Sequence, residues 1–209
     1  EENYPGNLEC KTTYELNNKN EILITYQATA DRDTIINLTN HNYWNFHGHK
    51  NFYQNITNHF VKIESKHICE NDINSIPTGK VLKTTGTKFD LNDFFLIDDF
   101  FLSSGGIDNN YSLLDKKHNN SVAQIYSNKT GMGVEYYTNQ PGIQFYTGNM
   151  MNDKYNGKYN KTYGAQFGMC LETQNFPDAI NNPNFPSPIL KKGDTYESFT
   201  KIKLRNDFI

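Results

Sequence analysis

Between residues 8 and 28 the chain alternates. Leu8, Cys10, Thr12, Tyr14 and Leu16 fall on one side, and Ile22, Ile24, Tyr26 and Ala28 repeat the period after Asn17-Asn18-Lys19-Asn20. A period of two puts every second side chain on one face of a strand, and an asparagine-rich tetrapeptide supplies turn chemistry, so this stretch predicts a β-hairpin. Short runs rich in β-branched and aromatic residues continue over 34–39, 60–64, 81–84, 122–127, 132–138, 143–147, 167–172 and 196–204. Asn128-Lys129-Thr130-Gly131 joins two of these runs and predicts a second hairpin. No window of helical length carries a convincing 3.6-residue period, and Pro and Gly interrupt most candidates. The pattern predicts an all-β chain, a large sandwich or barrel, with no internal repeat or linker to divide residues 1–209 into more than one domain. Pro177, Pro183, Pro186 and Pro188 crowd into 175–188, which predicts a long, stiff, strandless loop after a buried strand.

Composition narrows the function more than the fold. The 209 residues carry 20 basic and 23 acidic side chains for a formal charge of -3, with no basic block, which argues against a nucleic-acid partner. A mean hydropathy of -0.76 would suit a disordered chain, but 14% of the residues are aromatic, which disordered chains are not. The 30 asparagines account for the polarity. They also make Asn-x-Ser/Thr triplets, such as those at Asn37, Asn55, Asn119, Asn128 and Asn160, uninformative about secretion. Cys10, Cys69 and Cys170 are widely spaced and form no Cys-x-x-Cys, which predicts neither a disulfide framework nor a zinc knuckle and places the chain in a reducing compartment, the cytoplasm. No apolar run approaches the ~18 residues of a membrane span.

Two segments concentrate chemistry. The first, Asn37 to Phe46, packs His41 among amides and the aromatics Tyr43, Trp44 and Phe46. A sugar site has this mixture, since hydroxyls pair with planar amides while C–H faces stack on rings; so does a strand end whose polar groups satisfy the backbone, and spacing alone leaves both open. In the second, Glu172 follows the apolar run from Phe167 to Leu171 and precedes the proline-rich loop. A carboxylate there is partly desolvated, which raises its pKa toward that of a useful general base; a capped or salt-bridged structural Glu fits the position too. His41, His47 and His49 lie close together, but the next acid is Glu64 and only His118 follows in the second half, a poor ligand set for a metal barrel.

These segments together resemble the aldose 1-epimerase (galactose mutarotase) family. The resemblance rests on Asn37-Leu38-Thr39-Asn40-His41, on Pro141 to Asn149, and on Gly168 to Pro186, in the family's order, with lesser matches at Tyr4 to Leu8, Ile76 to Gly79, Phe89-Asp90 and Asp108 to Tyr111. Asn42, Trp44 and Phe46 depart from the family pattern. The resemblance implies a β-supersandwich that binds a free hexose such as galactose or glucose on an open face and interconverts its α and β anomers without cofactor or metal. It implies His41 as general acid, Glu172 as general base, Asp108 as a ligand of sugar hydroxyls, and Gln144 and Tyr43 as pocket residues, with His47 and His49 structural. It also implies an N-terminal portion ahead of Tyr4 that supplies an arginine and a further histidine. Without it the chain is expected to be a truncated or separately expressed piece, aggregation-prone at its unpaired edges, with that portion as a possible separate partner. Two rivals follow from the same resemblance: an inactive carbohydrate-binding module, and an epimerase of a phosphorylated hexose, which the few Lys and Arg near the motifs disfavour.

Overall fold

A computed structural model describes residues 3–49, 54–114, 120–154 and 156–208. His118 and Asn119, weighed above, lie outside them. In chain order the elements are β1 (Leu8–Leu16), β2 (Glu21–Ala30), β3 (Thr34–Ile35), β4 (His59–Ile63), β5 (His67–Asn71), β6 (Pro77–Lys83), β7 (Phe95–Leu96), α1 (Asp99–Ser103), β8 (Asp108–Ser112), β9 (Ala123–Ser127), β10 (Gly133–Thr138), β11 (Gly142–Tyr146), β12 (Cys170–Gln174), β13 (Ile189–Leu190) and β14 (Thr195–Arg205). Seven strands form one antiparallel sheet in the order β1-β2-β14-β10-β9-β4-β7, and five form a second in the order β12-β11-β8-β5-β6. A short ribbon joins β13 to β3. No helix among the described residues is long and apolar enough to cross a membrane.

Alternation builds the core. Ile24 and Tyr26, Val61 and Ile63, Val134 and Tyr136, and Ile202 point from the seven-stranded sheet into one cluster with Ile68, Tyr111, Ile143, Phe145 and Leu171 of the five-stranded sheet. Burying apolar side chains on both inner faces holds such a sandwich together, at roughly 25 cal/mol for each Å² of apolar surface removed from water. Both predicted hairpins form. Asn17 Oδ1 accepts the Lys19 and Glu21 N–H groups, and Asn20 takes the left-handed φ of 59° that closes β1 on β2. Between β9 and β10, Ser127 Oγ accepts from the Lys129 and Thr130 N–H groups and Gly131 turns the chain at φ 67°. β1 is an edge, and every one of its residues but Thr13 is exposed.

Several elements differ from the pattern-based reading. The run expected over 34–39 pairs only through Thr34–Ile35, because Asn37 then exchanges its side-chain amide with the backbone of Asn175 in place of a ladder. The strand expected over 167–172 runs instead over Cys170–Gln174. β5, β7, β8, β13 and the five-residue α1 were not predicted; β8, Asp-Asn-Asn-Tyr-Ser, is composed mainly of residues strands disfavour and is held by its neighbours on both sides. The proline-rich loop is strandless as expected, with one 3₁₀ turn at Ala179–Asn181. His47 sits in a turn, buried, with Nδ1 2.8 Å from Ser127 Oγ and Nε2 2.5 Å from the Thr57 carbonyl.

Candidate active site

The site lies on the face of the five-stranded sheet that turns away from the core. On β12, Leu171 packs into the core and Thr173 hydrogen-bonds Thr200 of β14, so Cys170, Glu172 and Gln174 must project from the opposite face. Register then aligns three cross-strand rows: Cys170 opposite Tyr146 opposite Asp108, Glu172 opposite Gln144 opposite Asn110, and Gln174 opposite Gly142 opposite Ser112. Gln144 Nε2 donates to Asp108 Oδ1 at 2.7 Å and Gln174 Nε2 to Asn110 Oδ1 at 3.4 Å. Gly142 leaves room for the Asn110 amide, since a Cβ on it would meet Asn110 Oδ1 at 2.6 Å unless that side chain shifted. Gln144 Oε1 is buried with no partner among the described residues, an acceptor available to a ligand hydroxyl.

His41 approaches from outside the sheet. Its segment is stitched along the residues around β12: Trp44 and Met169 exchange backbone hydrogen bonds at 2.8 and 3.0 Å, Asn45 Nδ2 donates to the Phe167 carbonyl at 3.1 Å, and Trp44 Nε1 donates to Tyr136 Oη at 2.7 Å. These contacts set His41 Nε2 3.4 Å from Glu172 Oε1. The imidazole, about half exposed, stacks on Tyr43 at 4.9 Å between centroids, and Tyr43 meets Tyr146 edge-on at 6.4 Å. Burial pushes the Glu172 carboxyl above the usual carboxylate range; the nearby His41 opposes that shift and the negative Asp108 adds to it.

These groups surround a cavity of about 270 Å³ lined by His41, Asp108, Gln144, Tyr146, Glu172 and Gln174, with Asn71, Ser75, Pro77 and Pro177, at the small end of the range for ligand sites. Four of the five residues expected from the sequence therefore converge, and the fifth, Tyr43, packs against the face of His41. Tyr146, Gln174 and Asn71 were missed. Alternation from Glu172 identifies Gln174 once the strand is placed over Cys170–Gln174, whereas nothing in the sequence around Asn71 marks it. His41, Cys170 and Glu172 are the described residues whose ligand atoms cluster closely enough to hold a metal ion, all within 4.8 Å of one another.

The fold and site define a β-sandwich that sets an imidazole–carboxylate pair among amides on its outer sheet face. Comparison with known proteins assigns the chain to a family. The family model described as aldose 1-epimerase matches residues 1–203. Human galactose mutarotase is 40% identical over 207 residues, covering 97% of this chain and 59% of that protein. Aldose 1-epimerase of Escherichia coli is 31% identical over 212 residues, covering 97% of this chain and 60% of its own length. Among solved structures, an aldose epimerase homologue from C. elegans superposes with a TM-score of 0.88 at 26% identity, covering 98% of this chain and 62% of its own. The chain belongs to the aldose 1-epimerase family, and it spans about three fifths of the length of these relatives.

Proposed function

We propose that the chain binds a free aldohexose, such as galactose or glucose, in this cavity and interconverts its anomers. The observation that carries the reading is the His41–Glu172 pair, 3.4 Å apart beside the Asp108–Gln144 hydrogen bond. Glu172 takes the proton of the C1 hydroxyl while His41 gives a proton to the ring oxygen; the C1–O bond breaks and the aldehyde forms. Rotation about C1–C2 presents the other carbonyl face, and closure with the two roles reversed yields the other anomer. The pair ends each turnover with the protons it began with, so the cycle consumes no cofactor. Asp108, Gln144 and the neighbouring amides hold the sugar hydroxyls, and Tyr43 steadies the imidazole. The relatives named galactose mutarotase and aldose 1-epimerase support this reading, and the three free cysteines support a cytoplasmic setting.

No Lys or Arg lines the cavity among the described residues, which favours a free sugar over a phosphorylated one. Polarimetry on freshly dissolved α-D-galactose tests the proposal. Glu172→Gln is expected to lower the catalysed rate by about 10²–10⁴-fold while leaving sugar affinity near that of the parent. A variant that keeps the full rate would falsify the assigned role of Glu172. A parent chain that binds galactose without accelerating mutarotation would identify a binding module instead.

A further inference from the structure

We propose that His41, Cys170 and Glu172 form a zinc-binding site beside this cavity. The alternation of β12 places the Cys170 thiol on the same face as Glu172, two residues before it. One ligand atom from each of the three residues lies within 4.8 Å of the other two. A tetrahedral zinc with bonds of 2.0–2.3 Å needs its ligand atoms roughly 3.5 Å apart. The His41 Nε2 to Glu172 Oε1 separation of 3.4 Å already meets this, and the sulfur side closes with about 1 Å of adjustment. His41 can supply that adjustment, because its ring is half exposed and projects from a segment outside the sheet, whereas Cys170 and Glu172 are fixed in a buried, paired strand.

The donor set selects the ion. Thiolate with imidazole suits zinc and other soft or borderline cations, whereas magnesium and calcium prefer oxygen ligands throughout. Thiolate and carboxylate together neutralise a divalent charge, and the cavity leaves a fourth position open to water, the arrangement of an open rather than a closed zinc site. On binding, the thiol proton passes to solvent, a zinc–sulfur bond forms, and hydrated zinc gives up water ligands. Occupancy uses the His41 nitrogen lone pair and the Glu172 carboxylate, so it blocks mutarotation; that consequence rests on the acid–base reading above, while the binding itself does not.

The test is titration of the reduced, chelator-free protein with Co²⁺, following the near-ultraviolet sulfur-to-cobalt band, then displacement by Zn²⁺. One equivalent is expected, and Mg²⁺ should give no displacement. Cys170→Ser should abolish the band and weaken zinc at least about tenfold, while Cys10→Ser, at the exposed thiol of β1, should retain it. No band in the parent, or a band that survives Cys170→Ser, overturns the site. Should Cys170→Ser not fold, His41→Ala takes its place, and zinc affinity reduced less than about threefold overturns the site equally. Polarimetry is read separately: cobalt binding with mutarotation unaffected by zinc overturns the blockade and the acid–base assignment but leaves the metal site standing.

Discussion

Acid should destabilise this protein well above the pH at which its carboxylates titrate, and the cause is a buried pair of histidines. His59 is fully buried, with its ring centroid 4.2 Å from that of His47. It is held neutral, since Nε2 accepts from the Phe46 N–H at 2.9 Å and Nδ1 lies 3.0 Å from the Ile56 carbonyl, leaving Nδ1 as the protonated nitrogen. Burial, reinforced by His47, pushes its pKa down to about 3. Unfolded, the same imidazole titrates near 6.5. Between those values the unfolded chain takes up a proton that the folded chain does not, so stability is fully present above about pH 6.5 and is lost as pH falls, at up to about 1.4 kcal/mol per pH unit. From pH 7 to pH 5, His59 alone removes about 2 kcal/mol from a typical total of about 5–15 kcal/mol. Burial lowers His47 as well, which adds to the loss. Glu172 has the opposite sign, since a raised folded pKa makes the folded state bind the proton first. Urea denaturation at pH 7, 6 and 5, followed by the fluorescence of Trp44, measures the slope in Glu172→Gln and in Glu172→Gln/His59→Gln. Gln keeps one donor and one acceptor at position 59 and does not titrate. The double variant should show a clearly shallower slope than the single variant over this interval, with the remainder coming from His47, whatever its stability at pH 7; an unchanged slope would refute the account.

Two further outcomes follow from the site. On the proposed acid–base reading Glu172 is ionised when it accepts the C1 proton, and its pKa is raised by burial, so the acid limb of kcat/KM should lie above the ordinary carboxylate range and fall away as pH drops through it; a limb at or below pH 4 contradicts the assignment. Gly142→Ala should push the Asn110 amide aside, raising KM for galactose several-fold and costing about 1–3 kcal/mol by urea denaturation; unchanged binding would mean that the Asn110–Gln174 row does not support the sugar.

The sequence made the β character and both hairpins readable, because alternation and turn residues act locally. It misplaced β12 because the apolar run at 167–169 looks like strand, while in the fold Met169 makes only an isolated bridge to Trp44 and the continuous ladder begins at Cys170. β8 escaped for the converse reason: its Asp and Asn residues disfavour strand locally, and only pairing with β11 and a contact with β5 make it one. Motif resemblance nevertheless marked Asp108 on that strand and Gln144 on β11. The same resemblance marked Tyr43, which stacks on His41 and meets Tyr146 edge-on, two residues of the cavity wall. Distant pairings such as Asn37 with Asn175 depend on tertiary context that no local pattern encodes.

Register couples this site to stability. β12 is an edge strand of the five-stranded sheet, and edges are where pairing slips most easily. A slip by one residue would turn Glu172 into the core cluster and bring Leu171 to the outer face. Burying an unpaired carboxylate is costly enough to forbid that arrangement. The contact of Thr173 with Thr200 and the bridge between Trp44 and Met169 act on the same strand from two directions. The interactions that keep Leu171 inside are therefore also those that hold Glu172 opposite His41, so a substitution that loosens the packing of β12 should disturb the geometry of the pair as well.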